Sequence, residues 1–316
     1  MTSSPDCVVC GTCVADMLVR PVPLEQPIGG GRLVHVDPIA LTTGGIVCNT
    51  GIALRRLGVT VAAAGMVGDD VWGREIRSRL DREDIRTGMM EMRDGVATSS
   101  TAVLIDPAGE RSFLHHVGAA GDLDLAFVQR HIATLAACRY CIVGYLGLLP
   151  RLEPRLAEAV ALIRSAGCRV VVETAGGAGA MADLVPALPS IDVFVPSLDE
   201  ARVHTQTDDP HDMIACYRRH GAAGIVGVKR GAEGTLLSPS PGLMVEIPCI
   251  AAPEPVIDTT GAGDSFLAGF VAGLIRGMTP AESGRLGAAA AAWCVTRAGA
   301  TAGLRSFDDT LSLARG

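Results

Sequence analysis

The stretch Asp258-Thr259-Thr260-Gly261-Ala262-Gly263-Asp264-Ser265-Phe266 decides how this chain is read. The apolar pair Val256-Ile257 runs into two threonines and a Gly-Ala-Gly turn. Asp264 then opens a segment with helical periodicity, with Leu267, Val271 and Leu274 on one face. Gly261 and Gly263 tolerate backbone angles that larger residues resist, so successive N–H groups can converge on one point. That point lies at a helix N-terminus, where unpaired amides and the helix dipole attract an anion. A carboxylate there would repel a bound phosphate unless a proton, a cation or a transferring group stood between them. The arrangement suits Asp264 as a general base that takes a hydroxyl proton during attack on a phosphoryl group. The amides of Gly261, Ala262, Gly263 and Asp264 would hold the developing charge. The same residues also make an ordinary strand-to-helix turn, so other stretches must decide.

The chain has 316 residues, 48% of them apolar and 19% charged, which is enough to fill a large core and too few charges for disorder. Aromatics make up only 3%, so aliphatic side chains have to fill that core. The net charge of −7, with no basic block, argues against nucleic acid and anionic membrane as partners. No apolar run approaches bilayer length, and MTSSPDCVVC lacks the form of a secretory signal. The expectation is a soluble cytoplasmic protein. Among the ten cysteines, Cys7, Cys10 and Cys13 share a metal-like spacing, as do Cys138 and Cys141. Their surroundings read as buried strands, where residues three apart face opposite ways, and chelation would need a turn. They are expected to be small core residues in a reducing compartment.

Residues 7–10 read as a first strand, with a loop from Gly11 to Asp16. Pro21 to Ile39 fits short edge strands. A helix is expected over 46–57, closed by Gly58, then a strand over 59–64 and a loop over 65–73. Ala97–Ile105 and Arg111–Val117 flank the turn Asp106-Pro-Ala-Gly-Glu110 as a hairpin. Helices and strands then alternate to a strand at 225–229. Capping boxes are expected at Asp209 with Asp212 and at Thr279 with Glu282, the latter starting a final long helix that runs to about Ala298. This alternation predicts one α/β domain over 1–316: a mostly parallel sheet with helices on both faces. The early extended segments, about 17–42 and 96–117, would form a small β-sheet lid.

Several constellations lie along this frame. Gly44-Gly-Ile-Val-Cys-Asn49 starts a helix whose bare backbone at Gly44 and Gly45 and whose Asn49 amide suit a polyol. Asp16 stands alone near the end of the first strand, and its carboxylate suits a pair of vicinal hydroxyls. Arg111 either reaches a phosphate or lies on the sheet surface, and at most one of His115 and His116 can face a substrate. Glu173 ends a strand at the edge where such sheets present ligands.

Read together, these stretches resemble the ribokinase (PfkB) family of carbohydrate kinases, in family order over nearly the whole chain. Residues 258–266 match its D-T-x-G-A-G-D-x-F motif, residues 44–49 its G-G-x-x-x-N, and residues 65–73 its G-x-V-G-D-D-x-x-G. The resemblance implies ATP-dependent phosphorylation of a primary hydroxyl, with Asp264 as base and Gly261–Asp264 as anion hole. It implies a sugar held by Asp16, Gly44, Gly45 and Asn49. Val195-Pro-Ser-Leu-Asp-Glu200 resembles P-N-x-x-E, whose Glu acts on Mg²⁺ through water; here Ser197 replaces the Asn beside Glu200. Val228 to Gly234 resembles the nucleotide-contacting strand and turn, which carries Lys229, Arg230, Gly231 and Gly234 and leaves open which basic residue meets phosphate. Ala292 would lie beside the adenine and Thr260 beside the nucleotide. A monovalent cation (K⁺) would sit at Asp258 and Thr260, and a homodimer would form through the lid. Ribokinases proper carry Lys after the glycine pair, where this chain has Ile46. The acceptor region has no Lys or Arg, which favours a neutral sugar over a phosphorylated one. A nucleoside acceptor is the alternative, and a silent sugar-binding regulator would be expected to lose Asp264. A dinucleotide-dependent oxidoreductase would need a second glycine after Gly11, which is absent.

Overall fold

The structure, a computed structural model, describes residues 4–26 and 29–316. The chain order is β1 (Cys7–Gly11), β2 (Val14–Val19), β3 (Ala40–Gly44), α1 (Gly45–Arg56), β4 (Val61–Gly68), α2 (Val71–Arg82), β5 (Arg86–Arg93), β6 (Ser100–Ile105) and β7 (Arg111–His116). It continues with α3 (Leu125–Leu135), β8 (Tyr140–Leu146), α4 (Leu156–Ser165), β9 (Arg169–Thr174), α5 (Met181–Leu184), β10 (Val193–Phe194), α6 (Leu198–Thr205) and α7 (Pro210–Arg219). The last elements are β11 (Ile225–Lys229), β12 (Thr235–Ser238), β13 (Val245–Ile247), α8 (Ala262–Ile275), α9 (Pro280–Cys294) and α10 (Phe307–Arg315).

Nine strands form the main sheet in the order β13-β12-β11-β10-β9-β8-β1-β4-β5. All pairs from β11 to β5 are parallel, and β12 and β13 close the other edge antiparallel. Parallel strands need both faces covered, and two apolar clusters do this. Phe127, Leu156 and Tyr217 pack on one face; Ile52, Ile76 and Phe270 pack on the other. Cys10 and Cys141 belong to the first cluster, Cys7 and Cys13 to the second, as the two-residue period of strands requires. The ligand edge lies where β1, β8, β9 and β11 end, beside the N-terminus of α8.

A separate four-stranded sheet runs β3-β2-β6-β7. Residues 27 and 28 of the expected 17–42 segment lie outside the described residues. Asp16 sits inside β2, paired with Thr42 and Thr101, rather than in a loop. This placement follows from the chain passing from β1 of the main sheet to β2 of the small one through only Thr12 and Cys13.

Other differences have local causes. β4 continues to Gly68 instead of ending at residue 64, because β5 pairs with it along that extension after the β1 pairing has stopped at Ala64. The strand at 86–93, which carries charges at both ends, has no counterpart in the sequence reading. Asp209 caps α7 by accepting from the His211 amide at 2.8 Å, but no capping box forms. Asp212 is one methylene shorter than the Glu that such a box uses. Thr279 and Glu282 do form the expected box at α9. That helix ends at Cys294 rather than near Ala298, since Val295 O is taken by the amides of Ile257 (2.8 Å) and Asp258 (3.3 Å). A further helix, α10, follows.

Candidate active site

Gly261 is the N-cap of α8 in a left-handed conformation, φ +77°. A Cβ there would also lie 2.5 Å from the Ala300 Cβ, so only glycine fits. The Ala262 N–H turns back to Thr259 O at 3.2 Å. Among the described residues, the amides of Gly261, Gly263 and Asp264 are left without a protein acceptor. The expected four-amide cradle is therefore three amides in this geometry.

Asp264 is buried, and its carboxylate is fixed by three donors. Asn49 Nδ2 donates to Oδ2 at 3.0 Å, while Thr50 Oγ1 (3.3 Å) and the Tyr145 hydroxyl (2.6 Å) donate to Oδ1. Burial pushes its pKa above the ordinary aspartate range, although Tyr145, Asn49, Lys229 and Thr50 all pull the other way. A carboxylate raised in this way is a stronger proton acceptor than a solvated one. Asn49 Oδ1 is buried and has no hydrogen-bond partner, so it is ready to accept from a ligand hydroxyl.

One helical turn before Asn49, roughly 6 Å along α1, stand Gly44 and Gly45. A Cβ on Gly44 would lie 2.0 Å from Asp16 Oδ2, so the bare backbone makes room for that carboxylate. Burial raises Asp16 to about 6, against the pull of the Thr101 hydroxyl. Asp16, Gly44, Gly45, Asn49 and Asp264 thus line one continuous polar path at the ligand edge.

Beyond α8, Lys229 Nζ forms a buried ion pair with Glu173 Oε1. It also lies 3.5 Å from where a Gly263 Cβ would be, beside the three free amides. Burial would lower the Lys229 pKa, but Glu173, Glu200 and Asp264 together raise it. Burial pushes Glu173 up to about 8, opposed by Lys229 and reinforced by Glu200 and Asp264. One ammonium is thus shared among three carboxylates. Removing Glu173 would leave the buried Lys229 ammonium without its nearest carboxylate, at a cost of about 3–5 kcal/mol.

Ser197 and Glu200 form a capping box at α6: Ser197 N donates to Glu200 Oε2 at 2.8 Å, and Glu200 N donates to Ser197 Oγ at 3.3 Å. Burial raises Glu200, but Lys229 and the Ser197 amide outweigh it and hold the carboxyl below the ordinary range. Glu173 Oε2 nearby is buried without a partner. Charged Glu200 and this unpaired oxygen fit a hydrated Mg²⁺, which takes few protein carboxylates and keeps its waters.

A cavity of about 370 Å³ opens beside Lys229 and Gly263. Gly231, Gly234, Ala288, Ala292, Val295 and Phe266 line it, which brings Gly231, Gly234 and Ala292 together at one cavity. Its walls are small and apolar, which suits a flat base. The loop Cys249–Ala252, to which the sequence reading gives no role, also lines it.

Arg111 does not reach this path. Its Nη2 pairs with Asp258 Oδ1 at 2.7 Å, and its Nη1 donates to Thr260 Oγ1. His115 is held by Thr101 Oγ1 at 3.0 Å.

The model of the pfkB family of carbohydrate kinases matches residues 5–306. The chain belongs to that family. This kinase is 30% identical over 284 residues to a fructokinase of Salmonella typhimurium, covering 87% of this chain and 86% of the relative. It is 29% identical over 311 residues to a ribokinase of Haemophilus influenzae, covering 96% of each. In fold it is similar to the Arabidopsis thaliana ribokinase complexed with ribose and ATP, with a TM-score of 0.87, 22% identity and 99% coverage of both chains. It is an ATP-dependent carbohydrate kinase with the ribokinase fold. No helix of the described residues is long and apolar enough to cross a membrane.

Tyr145, Thr50 and the Lys229–Glu173 pair carry the site's electrostatics yet stand outside or unresolved in the sequence reading. Tyr145 ends an apolar strand and reads as core; the one available signal was its place at a strand terminus on the ligand edge.

Proposed function

We propose that this kinase transfers the γ-phosphoryl of ATP to a primary hydroxyl of a small, neutral sugar, with Asp264 as general base. The observation that carries this reading is the buried Asp264 carboxylate, oriented by Asn49, Thr50 and Tyr145 at a helix N-terminus with three free amides. Asp16, Gly44, Gly45 and Asn49 grip the sugar hydroxyls and turn the reacting one toward Asp264. As that oxygen attacks, Asp264 accepts its proton. The Gly261, Gly263 and Asp264 amides and the Lys229 ammonium then stabilise charge on the transferred group. Glu200, with the free Glu173 Oε2, would hold a hydrated Mg²⁺, and that ion would supply positive charge against the phosphates. The adenine occupies the cavity lined by Gly231, Gly234 and Ala292, with Thr260 and Ser197 near the phosphate end.

Asp16, Gly44, Gly45, Asn49 and Asp264 offer carboxylate, amide and backbone groups with no basic side chain among them, which supports a neutral sugar over a phosphorylated one. The small sheet acts as a lid that excludes water, and its exposed edge pairs two copies into a homodimer. An ATP user of this kind belongs in the cytoplasm. The test is ADP release from Mg-ATP across pentoses, hexoses, sugar acids, phosphosugars and nucleosides. Turnover confined to one or a few neutral sugars is expected; turnover with nucleosides or phosphosugars alone would overturn the acceptor assignment.

A further inference from the structure

The family resemblance implies a monovalent cation at Asp258 and Thr260, and with the Arg111 guanidinium against that carboxylate the residues in this chain do not fit one. Asp258 Oδ1 accepts from Thr260 N at 2.8 Å, from Thr260 Oγ1 at 2.7 Å and from Arg111 Nη2 at 2.7 Å. Oδ2 accepts from the Gly299 amide at 2.8 Å. Alkali cations are held by rings of oxygens whose lone pairs are free to face them. Here the neighbouring carbonyls are engaged as well. Val295 O takes the amides of Ile257 and Asp258, and the Cys294 thiol lies 3.4 Å from Thr260 O and 3.2 Å from Ala300 O. A positive charge already stands against the carboxylate, supplied by the guanidinium, and it is largely shielded from solvent.

We propose that Arg111 takes the place of a monovalent cation in this kinase. Its side chain neutralises Asp258 and ties the loop leading into the anion cradle to the small sheet. Asp258 lies three residues before Gly261, so fixing its carboxylate fixes the approach to the three free amides. Arg111 comes from β7, on the other sheet, so the cradle is ordered only when that sheet is docked. An alkali cation would float free of such coupling, whereas an arginine carries it. Arg111 is therefore a positioning residue, and turnover needs no added K⁺. This inference rests on the kinase reading for its activity arm only.

Two measurements on the intact enzyme test it. The first is turnover in K⁺, Na⁺ or tetramethylammonium chloride at equal ionic strength; the second is the melting temperature in the same salts, which needs no turnover. For the wild type, rates within about twofold across the three salts and equal melting temperatures are expected. For Arg111→Ala, turnover should fall at least about tenfold in tetramethylammonium and recover in K⁺, with a melting temperature that rises with K⁺. Arg111→Lys should need no K⁺. A wild type that is activated about tenfold by K⁺, or stabilised by K⁺ and not by tetramethylammonium, overturns the proposal. So does an Arg111→Ala enzyme that turns over at the wild-type rate without K⁺. If no acceptor is phosphorylated, the functional reading fails, and the wild-type melting temperatures still decide the cation question.

Discussion

Asp16 titrates within the working range of an enzyme because it is buried on β2 against the bare backbone of Gly44. Its folded pKa of about 6 lies above the ordinary 3.8. Above that pH it is a carboxylate that accepts two hydroxyls, and below it one acceptor is lost. The sugar KM should therefore rise as pH falls through about 6, with kcat changing less. Initial rates between about pH 5 and pH 8 read this directly, and a flat KM would contradict it. The stability sign is the opposite. A raised folded pKa contributes stability at low pH that is lost as pH rises through about 6, so Asp16→Asn should melt higher than the wild type at pH 8 while binding sugar poorly. At this scale the sequence carried the residues whose role depends on type and spacing within one segment, such as Asp264, Gly261 and Asn49. It did not carry pairings between distant segments. Tyr145 meets Asp264 across 119 residues, Lys229 meets Glu173 across 56, and Arg111 meets Thr260 across 149. Only the packing of the strand ends around α8 and the loop before it brings those partners together.

The start of α6 shows how one element serves both helix and site. Ser197 stands where the family motif has Asn, and either residue can accept from an N3 amide. Glu200 closes the box while keeping one carboxylate oxygen for other partners. Ser197→Ala should cost about 1 kcal/mol of stability. It should also raise the Mg²⁺ concentration needed for half-maximal rate: Ala keeps the amide that holds the Glu200 carboxylate, but without the Ser197 Oγ acceptor the first turn frays and that amide is no longer fixed against it. Ser197→Asn should restore both. Denaturant melts and Mg²⁺ titrations check the two effects, and an Ala variant unchanged in both would show that the cap does not position Glu200. Helices with clear caps and apolar faces, such as α1, α7 and α9, were legible to within a few residues. The early end of α9 was not, since it depends on Val295 O accepting from a loop that lies far back in the chain.

Across the molecule, β–α alternation revealed the parallel sheet, and the break in that alternation revealed the small one. The main sheet's edge strand β5 and the terminal helix α10 had no comparable signal. The small sheet leaves Leu41 and Leu114 exposed on one face, one on each edge strand, and Phe113 exposed on the other, apolar surface unusual for a sheet that stays solvated. A homodimer through this sheet predicts a solution mass of twice the chain, with Leu114→Glu giving a folded monomer; light scattering that shows a monomeric wild type would contradict it. The most direct test of the whole account concerns Asp264, compared with Asp264→Asn on the best sugar acceptor. Asn keeps the shape, and a flipped Asn49 can offer its unpaired Oδ1 to the new amide. Because burial raises the Asp264 pKa, the uncharged variant should melt no lower than the wild type at neutral pH. The account predicts a kcat at least about 10²-fold lower, with little change in either KM. Turnover within about tenfold of the wild type would show that another group takes the proton.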